Sequence, residues 1–290
     1  MKYVSVVGLP HYTLARHSGM GSAPGALRRA GLLSALGGSV LDEGDVVLPH
    51  LEHDVLEGGA KNLSHFRNAT AAIHESLRGL KSDRTVLLGG DCSVAVGGLS
   101  GLSEAFGGKP SMLWMDAHGD FNVPESSPSS YIGGMCLAMA CGRGPPLGAA
   151  VDARRPLLDE QRLVHLGSRA LDLPEVKSFE SSPAMLLSAG ELRKRGAKKV
   201  GAEVSKRLAD AGDWIACHLD IDVVDPDSIL AVNYPSPGGL KPSEVSAVMA
   251  ALASTGKLRM VDVAAYNPSL DDGGSSAAAV VSLLKESFQG

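Results

Sequence analysis

Seven short apolar runs recur along this chain, and longer stretches with helical patterning separate them. The runs are Tyr3–Val7, Thr85–Leu88, Ser111–Met115, Leu163–Leu166, Ala184–Leu187, Trp214–Ile221 and Leu258–Val263. Several are apolar almost throughout instead of alternating with polar residues. That pattern suits strands covered on both faces, the situation in a parallel sheet. Helices are expected from Ser22-Ala23-Pro24 to about Ala35, where Gly37-Gly38 ends the pattern, and over Asn62–Arg78, Lys199–Ala211, Pro242–Ser254 and Ser275–Phe288. Strands alternating with helices predict an α/β fold, a three-layer α/β/α sandwich around a central, mostly parallel sheet. The 290 residues suffice for one large core, and with no repeat or low-complexity linker the expectation is a single domain over 1–290. The Pro/Ser/Gly-rich stretch Pro124–Gly134 is expected to be an active-site loop.

A formal net charge of -5 offers no electrostatic basis for binding nucleic acid. No run of 18 apolar residues exists, so no membrane helix is expected. The opening Met1-Lys2-Tyr3-Val4-Ser5-Val6-Val7 enters a strand-like run directly, without the three-part pattern of a signal peptide. Cys92, Cys136, Cys141 and Cys217 are too few for a disulfide framework in a chain of this size. The expectation is a cytoplasmic protein with free thiols, most of them buried as small hydrophobes. Cys92 stands apart because of its neighbours.

Three segments that follow strand candidates carry the chemistry: Gly89-Gly90-Asp91-Cys92-Ser93, Asp116-Ala117-His118-Gly119-Asp120-Phe121-Asn122, and His218-Leu219-Asp220-Ile221-Asp222-Val223-Val224-Asp225-Pro226. Ligands of open α/β sheets bind beyond the carboxyl ends of the strands, where all three should fall. In an extended segment the i, i+2, i+4 spacing of Asp116, His118 and Asp120 directs their side chains the same way, and Asp220 and Asp222 share that pattern. A lone D-x-D is as readily a turn or a surface pair. Four converging carboxylates, however, cannot all stay ionised in a buried site without a cation between them. Cys92, Asp116, His118, Asp120, Asp220 and Asp222 are therefore candidate metal ligands. Oxygen-dominated ligation with imidazole suits two divalent ions, Mn²⁺ first.

This set resembles the arginase/agmatinase (ureohydrolase) superfamily, whose hallmarks are G-G-D-H-S, D-A-H-x-D and S-x-D-x-D-x-x-D-P. The likeness covers most of the chain, including the N-terminal Gly21–Leu32 segment and Asn267-Pro268. The resemblance implies that Asp116 and Asp220 bridge two metals, that Cys92 and Asp120 complete one ion, and that His118 and Asp222 complete the other. Asp120 and His118 are the catalytic candidates of this set. It further implies attack of a metal-bridging hydroxide on a guanidinium carbon, with release of urea and an amine, and a homo-oligomer, trimer or hexamer.

Three departures alter what is expected. Cys92 replaces the first ligand His, and its soft, charged thiolate shifts preference toward Fe²⁺, Co²⁺ or Zn²⁺. Gly133 stands where arginases carry a proton-shuttling His. Ala265 stands where they carry the Glu that grips the guanidinium, leaving only Asp262 or another acid to substitute. Together with Tyr131–Met135 and Ala140-Cys141-Gly142, the Cys ligand resembles one branch, the N-hydroxyarginine amidinohydrolase of cycloserine biosynthesis. A hydroxyguanidine is less basic than a guanidine and needs less from a shuttle. The expected activity is hydrolysis of a C–N bond in a guanidino, hydroxyguanidino or amidine-type small molecule, N-hydroxy-L-arginine first. An uncharged amide or formimino-type substrate, or a non-catalytic homologue, are the alternatives.

Candidate substrate-binding residues are Asn122, Asp172 and Tyr131, although Asn122 could equally cap its loop and Asp172 a turn. Glu125 is expected at the pocket mouth. His218 is expected either to support a ligand carboxylate or to pack as a core residue. The other histidines are expected to be surface or structural, with His11 and His17 near the site.

Overall fold

The computed structural model describes residues 3–286. Eight parallel strands form the central sheet: β1 (Val4–Gly8), β2 (Val40–Asp45), β3 (Arg84–Leu88), β4 (Pro110–Met115), β5 (Leu163–Ser168), β6 (Met185–Ser188), β7 (Trp214–Asp220) and β8 (Leu258–Ala264). Their spatial order is β2-β1-β3-β8-β7-β4-β5-β6. The α/β/α sandwich expected from the sequence is the fold observed. Alternate residues of the strands enter opposite layers. On β4, Leu113 and Met115 join the core formed with helices 197–211, 242–253 and 275–286, whereas Met112 and Trp114 join the core under helices 63–77 and 94–106. Two-sided burial explains why the central strands are so uniformly apolar.

All seven predicted strands are present, with ends moved by one to a few residues. β2 escaped prediction because Val40-Leu41-Asp42-Glu43-Gly44-Asp45 is a largely exposed edge strand without an apolar run. A two-residue hairpin, Leu56–Glu57 with Ala60–Lys61, was missed too. The helix expected from residue 22 to 35 is instead two, Ala23–Arg29 and Leu32–Leu36, interrupted at Ala30-Gly31. The final helix is described over Ser275–Glu286, and the predicted continuation to Phe288 lies outside the described residues. Helix Val94–Phe106 was also missed, because glycines disguise it. A Cβ at Gly97 would lie 2.8 Å from the Ile73 Cβ, so the two helices approach too closely for a side chain there. Among the described residues no helix is long and apolar enough to cross a membrane.

Four strands adjacent in the sheet, β3, β8, β7 and β4, discharge at one edge into Gly89–Ser93, Ala265, Asp220–Asp222 and Asp116–Asn122. The topology thus gathers segments more than a hundred residues apart in sequence, at the end of the sheet where such folds bind ligands.

Candidate metal centre

A cavity of about 260 Å³ opens at this edge, and its lining includes Cys92, Asp116, His118, Asp120, Asn122, Tyr131, Asp172, Asp220 and Asp222. Those are all nine site residues expected from the sequence. Convergence does not come from extended alternation, which corrects the geometry expected above. β4 ends at Met115, and the Asp116 carboxylate accepts the His118 backbone N–H at 2.7 Å. Asp120 adopts a left-handed backbone, φ 49°. Asp222 lies in the helical turn Ile221–Val223, where the Asp220 carboxylate accepts its N–H at 2.7 Å. Short aspartate-centred turns bend the chain back on itself, as Asp side chains readily do.

The donor atoms form two groups. One ring nitrogen or carboxylate oxygen from each of Asp116, His118 and Asp222 lies within mutual reach of 4.8 Å. So do atoms of Cys92, Asp116, Asp120 and His218. Asp116 belongs to both, so the two groups share a wall. His118 Nδ1 lies 2.9 Å from Asp222 and 3.5 Å from Asp116. Cys92 donates its thiol to Asp220 at 3.0 Å.

The chemistry of this set fits divalent cations. Burial, then the charges of Asp222 and Asp116, pushes Asp220 well above the usual carboxylate range, and burial followed by Asp116 does the same to Asp120. A hydrogen bond with Cys136, burial and the Asp220 charge raise the Cys92 thiol. Burial alone would lower His118, but Asp116 and Asp222 override it and push its pKa up to about 12. Such acids crowd one another unless a cation lies among them. Ligation requires Cys92 as thiolate and His118 as neutral imidazole, and both begin protonated. Loading the metal-free protein is therefore expected to release protons, with apparent affinity rising between about pH 6 and 8. A weakly buffered titration with an indicator dye checks this; affinity flat across that range would contradict it.

Several residues that the sequence reading left out support the centre. Glu175 is buried and accepts the backbone N–H groups of Phe121, at 3.0 Å, and Asp172, at 2.9 Å, fixing the ligand loop onto the helix Leu173–Glu180. Its signal was the Asp172-x-x-Glu175 capping box. Arg169 donates to the carbonyls of Gly167, Asp222, Val223 and Ser236, tying the Asp222 turn to the loop after β5. Cys136, expected to be a plain buried thiol, donates to the Gly133 carbonyl at 2.9 Å and lies 3.5 Å from Asp120. Asn122 donates to Asp172 at 3.0 Å and accepts from Ser126, so it both holds the loop and faces the cavity. Glu125 is exposed and is not among the residues that line the cavity.

The positions that depart from the motifs are equally defined. A Cβ at Gly133 would lie 2.4 Å from the Tyr131 ring, so the tyrosine fills the space a histidine there would need. The Tyr131 hydroxyl donates to Asp91 at 3.2 Å. Its ring packs edge-on against His17, which packs edge-on against Tyr234, each pair 5.3 Å apart. His17 is buried within this wall and His11 is buried as well. Ala265 lines the cavity with a left-handed backbone, φ 65°. Asp262 does not take its place, being fully buried against His218 and outside the cavity. Gly133→His is accordingly expected to overpack the loop, at a cost of about 1–3 kcal/mol. Thermal denaturation checks this: the added replacement Tyr131→Ala should restore much of the loss, and an undiminished Tm for Gly133→His would contradict it.

A sheet edge that gathers a cavity floored by acids, imidazole and thiol defines an α/β metallohydrolase architecture. The chain belongs to the Arginase family, whose model matches residues 2–289. It is 29% identical to the arginase of Bacillus caldovelox over 99% of this chain and 98% of that one. The arginase structure from Bacillus caldovelox superposes with a TM-score of 0.91 at 28% identity, covering 100% of this chain and 99% of that one. Arginase from Entamoeba histolytica, solved with L-ornithine, gives a TM-score of 0.90 at 25% identity, covering 100% of both chains. The chain is a metal-dependent enzyme of the ureohydrolase type, in a family that typically uses a binuclear metal centre.

Proposed function

We propose that residues 1–290 form one arginase-like domain that hydrolyses a guanidino-type C–N bond, with N-hydroxy-L-arginine preferred over arginine. Water adds to the guanidino carbon, the bond to the side-chain nitrogen breaks, and hydroxyurea and ornithine leave. The observation that carries the preference is the pair of replacements facing the cavity. Tyr131 occupies the space beside Gly133, and Ala265 brings no carboxylate. A protonated guanidinium entering here meets no carboxylate at position 265, whereas a less basic hydroxyguanidine has less need of one. The same lack favours, as a second reading, an uncharged amide or formimino-type substrate.

Two divalent ions held by Cys92, Asp116, His118, Asp120, Asp220 and Asp222 would supply water acidified toward neutral pKa. Mn²⁺ is the first choice, with Fe²⁺, Co²⁺ or Zn²⁺ favoured by the thiolate. The remaining roles belong to the chain. Asp172 and Asn122 offer an acid and an amide to the amino-acid end of a substrate, Tyr131 places a hydroxyl inside the cavity, and Asp120 and His118 would stand beside the reacting carbon. Arg16, exposed at the cavity and donating to the Tyr234 hydroxyl at 2.7 Å, offers a cation to a substrate carboxylate. Four free cysteines support a reducing, cytoplasmic setting, and family resemblance supports a trimer or hexamer.

The test is ornithine release from arginine and from N-hydroxyarginine by the same metal-loaded preparation. Arginine is expected to be the poorer substrate by about tenfold or more in kcat/KM, on the scale of one missing charge-assisted hydrogen bond. Equal turnover would overturn the preference.

A further inference from the structure

Beneath the cavity lies a buried polar pair outside its lining. His218 on β7 and Asp262 on β8 face each other in register, and both are completely buried. Asp262 Oδ1 lies 2.5 Å from His218 Nδ1. On the other side Trp114 of β4, also in register, stacks on the imidazole with centroids 3.7 Å apart and planes 24° apart. The Trp114 indole N–H in turn donates to Asp116 at 3.1 Å. The ring is thus fixed by a carboxylate at one edge and an indole on its face.

Its other nitrogen, Nε2, is buried with no hydrogen-bond partner. Buried polar atoms are ordinarily paired, and leaving one unpaired costs about 1–3 kcal/mol. Nor are its surroundings purely apolar. A ring nitrogen of His218 lies within 4.8 Å of a sulfur from Cys92 and of carboxylate oxygens from Asp116 and Asp120. With Nδ1 committed to Asp262, the free nitrogen is Nε2.

We propose that His218 is itself a ligand, through Nε2, of the ion held by Cys92, Asp116 and Asp120, with Asp262 as the positioning residue behind it. A carboxylate that accepts from Nδ1–H fixes the tautomer that leaves the Nε2 lone pair free, the arrangement by which metal-bound histidines are ordinarily oriented. The inference rests on reading this cluster as a metal centre. It means that the ion beside Cys92 takes an imidazole from β7. The first ion then has a thiolate and an imidazole besides its carboxylates, a softer set than oxygen and imidazole alone.

X-ray absorption of the intact protein loaded with Co²⁺ decides the matter without any substitution. Outer-shell scattering is expected from two imidazoles, those of His118 and His218, for each pair of ions, alongside one sulfur. A single imidazole per pair would overturn the role of His218 while leaving the metal centre standing, and no bound metal would overturn both. Two variants extend the test through the visible Co²⁺ bands. Asp262→Asn is expected to shift those bands and weaken the first ion by roughly 10–100-fold, the loss usual for such supporting carboxylates. His218→Asn should weaken it at least as much while the second ion stays bound. A folded His218→Asn protein with unchanged bands and affinity would contradict the assignment.

Discussion

Asp116→Asn is expected to abolish turnover and to weaken both ions at once, beyond the roughly 10–100-fold that loss of an outer-shell partner typically costs. The reason is position. Asp116 contributes to both groups of donor atoms, accepts the His118 N–H through Oδ1 and takes the Trp114 indole N–H on Oδ2. An amide carries no charge to offset either cation, so both sites lose affinity together. Asp222→Asn should differ, since Asp222 belongs to one group only and its loss should release mainly the ion beside His118. Calorimetric metal titration of the two variants checks this. If Asp116→Asn loses one ion and keeps the other at undiminished affinity, the shared wall is not a bridge.

Ala265→Glu carries the second large expected effect. The new carboxylate would enter a cavity where Asp172 is assigned to the amino-acid end of the substrate and the other two unliganded acids are already engaged. Asp91 accepts from the Thr13 backbone and hydroxyl, from Ser93 and from Tyr131, and Glu175 accepts two backbone N–H groups. A guanidinium would then find a free charged partner. A charge-assisted hydrogen bond is worth about 1.5–3 kcal/mol, so arginine kcat/KM should rise roughly 10–100-fold, with a smaller gain for N-hydroxyarginine. Ala265 already bears the left-handed backbone, so the longer side chain adds little strain there. Steady-state kinetics on both substrates is the measurement. No gain on arginine from a folded Ala265→Glu variant would mean that the missing acid is not what limits it.

The layered fold was legible because strands buried on both faces leave nearly continuous apolar runs, as on β4. β2 left no such trace, since an edge strand that faces solvent has no reason to be apolar. Helix Val94–Phe106 was hidden for the opposite reason: its glycines serve contact with helix Leu63–Leu77, a tertiary demand that local propensity does not register. At the site, the types and spacing of Asp116, His118, Asp120, Asp220 and Asp222 pointed to one cluster, and all five line the cavity, although Asp220 belongs to neither group of donor atoms. How they converge was not legible, because turns closed by their own carboxylates replace extended alternation. The His218–Asp262 pair depends on register between strands whose paired residues lie 44 positions apart, which no local pattern encodes. The sequence marked Gly133 as a loss. The structure places the Tyr131 ring in the vacated space, a relation between side chains and not between letters.

Metal stoichiometry tests the centre most directly. Purified protein stripped with chelator, reloaded with Mn²⁺ or Co²⁺ and passed through a desalting column should retain two ions per chain by elemental analysis, and Asp116→Asn should retain far less. A value near zero in the unaltered, folded protein would contradict the metallohydrolase reading at its root.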